Sequence, residues 1–223
     1  MITGRRQGMV IECIGLPGSG KTELTELIEK ELKRREVDYV NVSANLRSRI
    51  SWKFLRAIAE LLIFLSADAR WLRDRLRGIL KKEGAVSSFG VYDNEKRVIR
   101  SLAVYSFWYR RMIRSHRIFL FDEGMLHTLM LFCADYRIAE DAFRKMTAAA
   151  EKGIRSARLV ISGEDTSEER DDFANEYERL RKAYGRDSRV LEISREEENR
   201  KKLSRVFGRI RQILTDAEER GAR

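Results

Sequence analysis

The stretch that most restricts what this chain can fold into is Gly15-Leu16-Pro17-Gly18-Ser19-Gly20-Lys21-Thr22. It reads Gly-x-x-x-x-Gly-Lys-Thr, a phosphate-binding loop pattern that needs a strand before it and a helix after it. Both flanks comply. Met9-Val10-Ile11-Glu12-Cys13-Ile14 is short and mostly apolar, and Leu24, Leu27, Ile28 and Leu32 then recur at helical spacing over residues 23–35. Gly15, Gly18 and Gly20 let the backbone aim successive N–H groups at one anion. The helix opening near Gly20 adds unpaired N–H groups and its positive dipole end. In this pattern Lys21 reaches the β- and γ-phosphates and the Thr22 hydroxyl holds Mg²⁺. Pro17, the only proline of the chain, stiffens the loop.

The rest of the chain alternates strands with helices. Residues 39–42 and the run Ile118-Phe119-Leu120-Phe121 read as the second and third strands, and residues 158–161 and 188–193 as the fourth and fifth. Helices are expected over 125–134, 140–152, 166–183 and 196–214, with a polar tail that frays from Thr215. This order argues for an α/β fold: a five-stranded parallel sheet with helices on both faces.

Residues 45–117 are too long for a simple crossover. They carry apolar helical faces at Phe54, Ile58, Leu61, Leu62 and Leu65, at Trp71, Leu72, Leu76 and Leu80, and over residues 96–114. We expect a helical insertion between strands two and three, with a core of its own, that roofs an acceptor site. Residues 163–187 are expected to form a lid-like segment. The 223 residues suit a single domain.

Composition narrows the function classes. Net charge is +10, which favours anionic partners, although the basic residues are spread along the chain and mixed with acids. Cys13 and Cys133 have no metal-ligand or disulfide spacing, and His116 and His127 read as structural. The longest apolar segment, residues 54–65, is interrupted by Arg56 and Glu60 and is too short to span a bilayer. Residues 1–8 read as a frayed terminus with no leader, and a reducing cytoplasm is the expected compartment.

A second chemical element follows the third strand. Asp122 stands where a carboxylate can hold Mg²⁺, and Glu123 can accept a proton from an acceptor hydroxyl. Arg170, on the segment after the fourth strand, is a candidate for balancing charge during phosphoryl transfer, with Arg179 and Arg181 as weaker candidates that also suit ordinary ion pairs.

Gly15–Thr22, Phe119-Leu-Phe-Asp-Glu-Gly124, Leu159-Val-Ile-Ser162, Ser167-Glu-Glu-Arg170 and Val190-Leu-Glu-Ile-Ser194, in this order, resemble the P-loop kinases of the thymidylate and adenylate kinase type. The resemblance implies ATP and Mg²⁺ as cofactors, a closing lid, an acceptor site under the insertion, and a nucleotide base near Ser194 and Arg195. The family's Asp-Arg after the third strand is Asp122-Glu123 here. Arg47, Arg49 and Arg100 are the nearest to an acceptor-phosphate signature. The expected activity is ATP-dependent phosphoryl transfer to a small molecule. The alternatives are a nucleotide-dependent switch or ATPase and a nucleic-acid-associated kinase. The expected partners are ATP and the acceptor, with homodimerisation open and no membrane.

Overall fold

The computed structural model describes residues 8–16, 18–42, 66–84, 95–152, 158–163, 172–185, 190–194 and 196–221. The strands are β1 (Met9–Ile14), β2 (Tyr39–Asn41), β3 (Ile118–Phe121), β4 (Arg158–Gly163) and β5 (Val190–Ile193). The helices are α1 (Lys21–Arg34), α2 (Ala67–Glu83), α3 (Glu95–Met112), α4 (Met125–Asp135), α5 (Glu140–Ala150), α6 (Asp172–Gly185) and α7 (Asn199–Gly221). All five strands run parallel, in the order β2-β3-β1-β4-β5. The expected α/β sheet is therefore present, with β1 between the strands that precede the acid pair and the 164–171 segment.

Alternation along the central strands sends side chains into two cores, as parallel strands buried on both faces require. Met9, Ile11 and Cys13 of β1 join Ile118, Leu120, Leu159 and Ile161 under α1 and α7. Val10 and Ile14 join Phe121 and Val160 under the helices α2 to α6. Glu12 lies on this second face too, in the middle of an otherwise apolar strand, and is fully buried.

Three expectations are corrected. The described helices of the 45–117 insertion have no core of their own: Leu72, Leu76, Leu80, Ile99 and Leu102 belong to the same cluster as Val10, Ile14 and Phe121, because α2 and α3 help cover that sheet face. Trp71 leaves the apolar face of α2, since Leu72, Leu76 and Ile79 define the buried stripe. Trp71 is 42% exposed, with the Lys152 ammonium 4.5 Å from its ring centre. The last helix does not fray at Thr215 but runs on to Gly221, through a stretch rich in helix-forming Ala, Glu and Arg. Val206, Ile210 and Ile213 seat it on the sheet. The apolar face expected over 54–65 and residues 164–171 lie outside the described residues. Among the described residues no helix is long and apolar enough to cross a membrane.

Candidate functional site

The turn after β1 is shaped by its backbone. Gly18 and Gly20 have φ of +85° and +78°, in the left-handed region that L side chains rarely adopt. Gly20 is the N-cap of α1, and Leu24 N–H donates to its carbonyl at 2.9 Å, the first bond of the helix. The N-terminus of α1, which starts in this turn, carries the helix's orphan donors and positive dipole end. Pro17 lies outside the described residues.

Lys21 folds back across this turn. Its Nζ donates to the carbonyls of Gly15 at 2.8 Å and Leu16 at 2.9 Å, which occupies two of its three N–H donors. Burial pushes the Lys21 ammonium below its ordinary pKa, against the opposing pull of Glu123, Cys13 and Asp122. The Ser19 hydroxyl is buried without a hydrogen-bond partner. An orphan of this kind is what a ligand oxygen satisfies. Thr22 is exposed at the start of α1.

The turn after β3 is built from distant parts of the chain. Glu12 pairs with Phe121 in the sheet register, so Asp122, one residue on, stands level with Cys13 and within electrostatic reach of Lys21. Asp122 is largely buried, whereas the Glu123 side chain is 60% exposed. Gly124 precedes α4 and has no side chain with which to cap it. Glu12 does this instead: its Oε1 accepts from the His127 N–H at 2.9 Å, in the first turn of α4. The Tyr109 hydroxyl accepts from the Met125 N–H at 3.2 Å and donates to Glu12 Oε2 at 3.1 Å. A carboxylate at a helix N-terminus is favourable. Here it comes from a neighbouring strand.

Glu12 also binds Arg158 at 2.9 Å, and Arg158 binds Glu151 at 2.6 Å. Tyr184 donates to Glu151 at 2.5 Å. With Tyr109, all five side chains of this cluster are buried. Burial lowers the Arg158 pKa, but Glu12, Tyr184, Glu151 and Tyr109 together outweigh it and hold the guanidinium above its ordinary range. Sequence reasoning passed over Glu12. The available signal was a lone carboxylate inside an apolar strand, which must find partners.

His127, read from sequence as a structural residue, stands at this site. Its Nε2 lies 3.7 Å from Glu123 Oε1. Burial first, then Lys21, pull its pKa down to about 4 against the opposing effect of Asp122. The imidazole is therefore neutral near pH 7, and its contact with Glu123 is not an ion pair.

The remaining arginine candidates are committed to ion pairs elsewhere, are half-buried on α3, or lie outside the described residues. Arg179 donates to Glu176 at 2.9 Å and to the Ile138 carbonyl at 2.7 Å, and Arg181 binds Glu178 at 2.8 Å. Both are committed to ion pairs along α6. Arg100 is half-buried on α3. Arg170, Arg47, Arg49 and Arg195 lie outside the described residues. Residues 172–185, within the expected lid, form α6, whose Tyr177, Leu180 and Tyr184 are packed in the core. Beside Ser19 and Gly20 a groove of about 160 Å³ runs between α1 and the start of α7, lined also by Leu27, Ile193, Ser194 and Lys202.

Among the described residues, no three His, Cys, Asp or Glu gather as a metal-binding group. The oxygen donors available are the Thr22 hydroxyl at the start of α1 and the Asp122 carboxylate after β3. That set suits Mg²⁺, which keeps several waters and takes few protein ligands alongside substrate phosphates.

No protein-family model matches the chain, and no curated protein matches it. The chain is similar to the solved structure of APE1195, with 16% identity, 94% of this chain and 98% of that one covered, and a TM-score of 0.47. It is also similar to deoxyadenosine kinase from M. mycoides with bound dCTP, at 12% identity, 92% and 100% coverage and a TM-score of 0.42. A third is the NadR protein in complex with NR, at 16% identity, 94% and 52% coverage and a TM-score of 0.38. Likenesses of this degree carry no argument about activity, which must come from the chain's own residues.

Proposed function

We propose that this chain is an ATP- and Mg²⁺-dependent phosphotransferase that passes the γ-phosphoryl group to a small-molecule acceptor. The observation that carries this reading is the position of Lys21, buried against the Gly15 and Leu16 carbonyls of a glycine turn and within electrostatic reach of Asp122 and Glu123 in the turn after the adjacent strand. The N–H groups at the start of α1 and the remaining Lys21 donor receive the β- and γ-phosphates. The orphaned Ser19 hydroxyl supplies one more contact. Thr22 and Asp122 would hold Mg²⁺, which would add positive charge beside the phosphate oxygens. The groove toward Ser194 takes the nucleoside end.

Glu123 is assigned the acceptor's proton, a reading supported by its exposure beside the buried acid. Arg170 is assigned the charge-balancing role on the segment before α6. In-line transfer needs little covalent chemistry from the protein, so positioning and fixed charge are the means of catalysis.

The test is turnover of ATP with Mg²⁺ against a panel of hydroxyl-bearing acceptors, wild type beside Lys21→Ala. Loss of one preorganised donor costs about 3–4 kcal/mol of barrier, or roughly 10²–10³ in rate. Turnover of ATP by Lys21→Ala at the wild-type rate would refute the assignment. In a thermal-shift assay, ATP at about a hundred times its Kd stabilises by about 2.7 kcal/mol, and an acceptor that adds a further shift is the second substrate.

A further inference from the structure

We propose that Tyr177 and His127 are positioning residues that pin the first peptide of the phosphate loop to the acid turn. The proposal rests on the reading of the turn after β1 as a phosphate site.

Gly15 is held through both of its backbone polar groups. Lys21 takes its carbonyl at 2.8 Å, and the Tyr177 hydroxyl accepts its N–H at 2.9 Å. Tyr177 is fully buried on α6, 162 residues further along the chain. A buried N–H left without an acceptor is costly, so this hydroxyl decides how the loop leaves β1. Its own proton needs an acceptor in turn. His127 Nδ1 lies 3.2 Å away, and the two rings meet edge to face with centroids 6.0 Å apart.

This fixes the imidazole. An Nδ1 that accepts from Tyr177 leaves the proton of a neutral ring on Nε2. Nε2 is the atom 3.7 Å from Glu123. The hydrogen-bond chain therefore has one direction: Gly15 N–H to Tyr177, Tyr177 O–H to His127 Nδ1, and His127 Nε2–H facing Glu123. The His127 backbone N–H is meanwhile tied to Glu12, three residues before Gly15 on β1. Two turns from different strands thus share one buried support.

Three variants test it. Tyr177→Phe removes one oxygen and keeps the ring in the core, and we expect its ATP–Mg²⁺ affinity to fall about tenfold, the scale of one lost buried hydrogen bond. His127→Asn places an amide oxygen where Nδ1 was and is expected to bind within about threefold of wild type. Tyr184→Phe, on the same helix but bonded to Glu151, is expected to leave affinity unchanged while lowering stability. If Tyr177→Phe binds within twofold of wild type, or Tyr184→Phe weakens binding as much, the pin is refuted. A further readout needs no nucleotide: long-range ¹H–¹⁵N spectra should show His127 as the neutral Nε2–H tautomer. An Nδ1–H ring overturns the inference. Absence of nucleotide binding by wild type, with the Nε2–H tautomer found, overturns only the proposed function.

Discussion

The turns that follow β1 and β3 both depend on glycine, for opposite reasons. At Gly18 and Gly20 the backbone is left-handed, and an added Cβ would meet nothing within 4 Å. The demand there is for a conformation. At Gly124 φ is −139°, open to any residue, but a Cβ would run into the Tyr109 hydroxyl and come within 2.7 Å of the Glu12 carboxyl carbon. The demand there is for space beside a buried polar cluster. The first turn therefore takes its shape from its own backbone: Tyr177 holds the Gly15 N–H, and the orphan N–H groups at the start of α1 are left over. The second is rigid because strands and helices far apart in sequence converge on it. A phosphoryl-transfer site needs both: open donors for the phosphates and a fixed carboxylate opposite them.

The largest effect should come from the buried cluster. Arg158→Met removes the cation between Glu12 and Glu151 and should cost about 3–5 kcal/mol in urea denaturation, because two carboxylates are left buried. A loss below about 1 kcal/mol would show that the second turn does not depend on this cluster.

Next comes pH. His127 faces Lys21 and Tyr177 from neighbouring elements, and Asp122 and Glu123 from the preceding turn. Its folded pKa of about 4 lies below the ordinary 6.5, so between those values the unfolded chain binds the extra proton. The stability from keeping it neutral is fully present above pH 6.5 and is lost as pH falls toward 4, on the order of 3 kcal/mol. His127→Gln should flatten that part of the stability–pH curve. An unchanged slope would mean that the ring titrates freely.

The smallest effects separate the glycines directly. Gly124→Ala should cost about 1–3 kcal/mol by overpacking, and Tyr109→Phe in the same chain should recover part of it, because the clashing oxygen is gone. Gly18→Ala should cost about 1–2 kcal/mol through its positive φ, and no neighbouring substitution should relieve it. Relief of both, or of neither, would erase the distinction.

The same contrast explains what could be read in advance. The loop was legible because its demands are local: glycines for backbone shape, then Lys21 and Thr22 at a fixed spacing. The parallel sheet was legible because Ile118-Phe119-Leu120-Phe121 and its fellows are continuous apolar runs. Glu12, Tyr109 and Arg158 were not, since their bonds span 97 and 146 residues and no local pattern marks them. His127 looked structural for a related reason. Its i,i+4 relation to Glu123 was visible, but its partner Tyr177 comes from α6. The run of α7 past Thr215 shows helix propensity prevailing where polarity alone suggested fraying.

The most direct test of the phosphate-loop reading is calorimetric titration with Mg²⁺ present, comparing ATP with adenosine on wild type and Lys21→Ala. Recognition through the β- and γ-phosphates predicts that wild type binds ATP at least about a hundredfold more tightly than adenosine, and that Lys21→Ala loses most of that preference. Equal affinity for ATP and adenosine, or a preference that survives in Lys21→Ala, would contradict it.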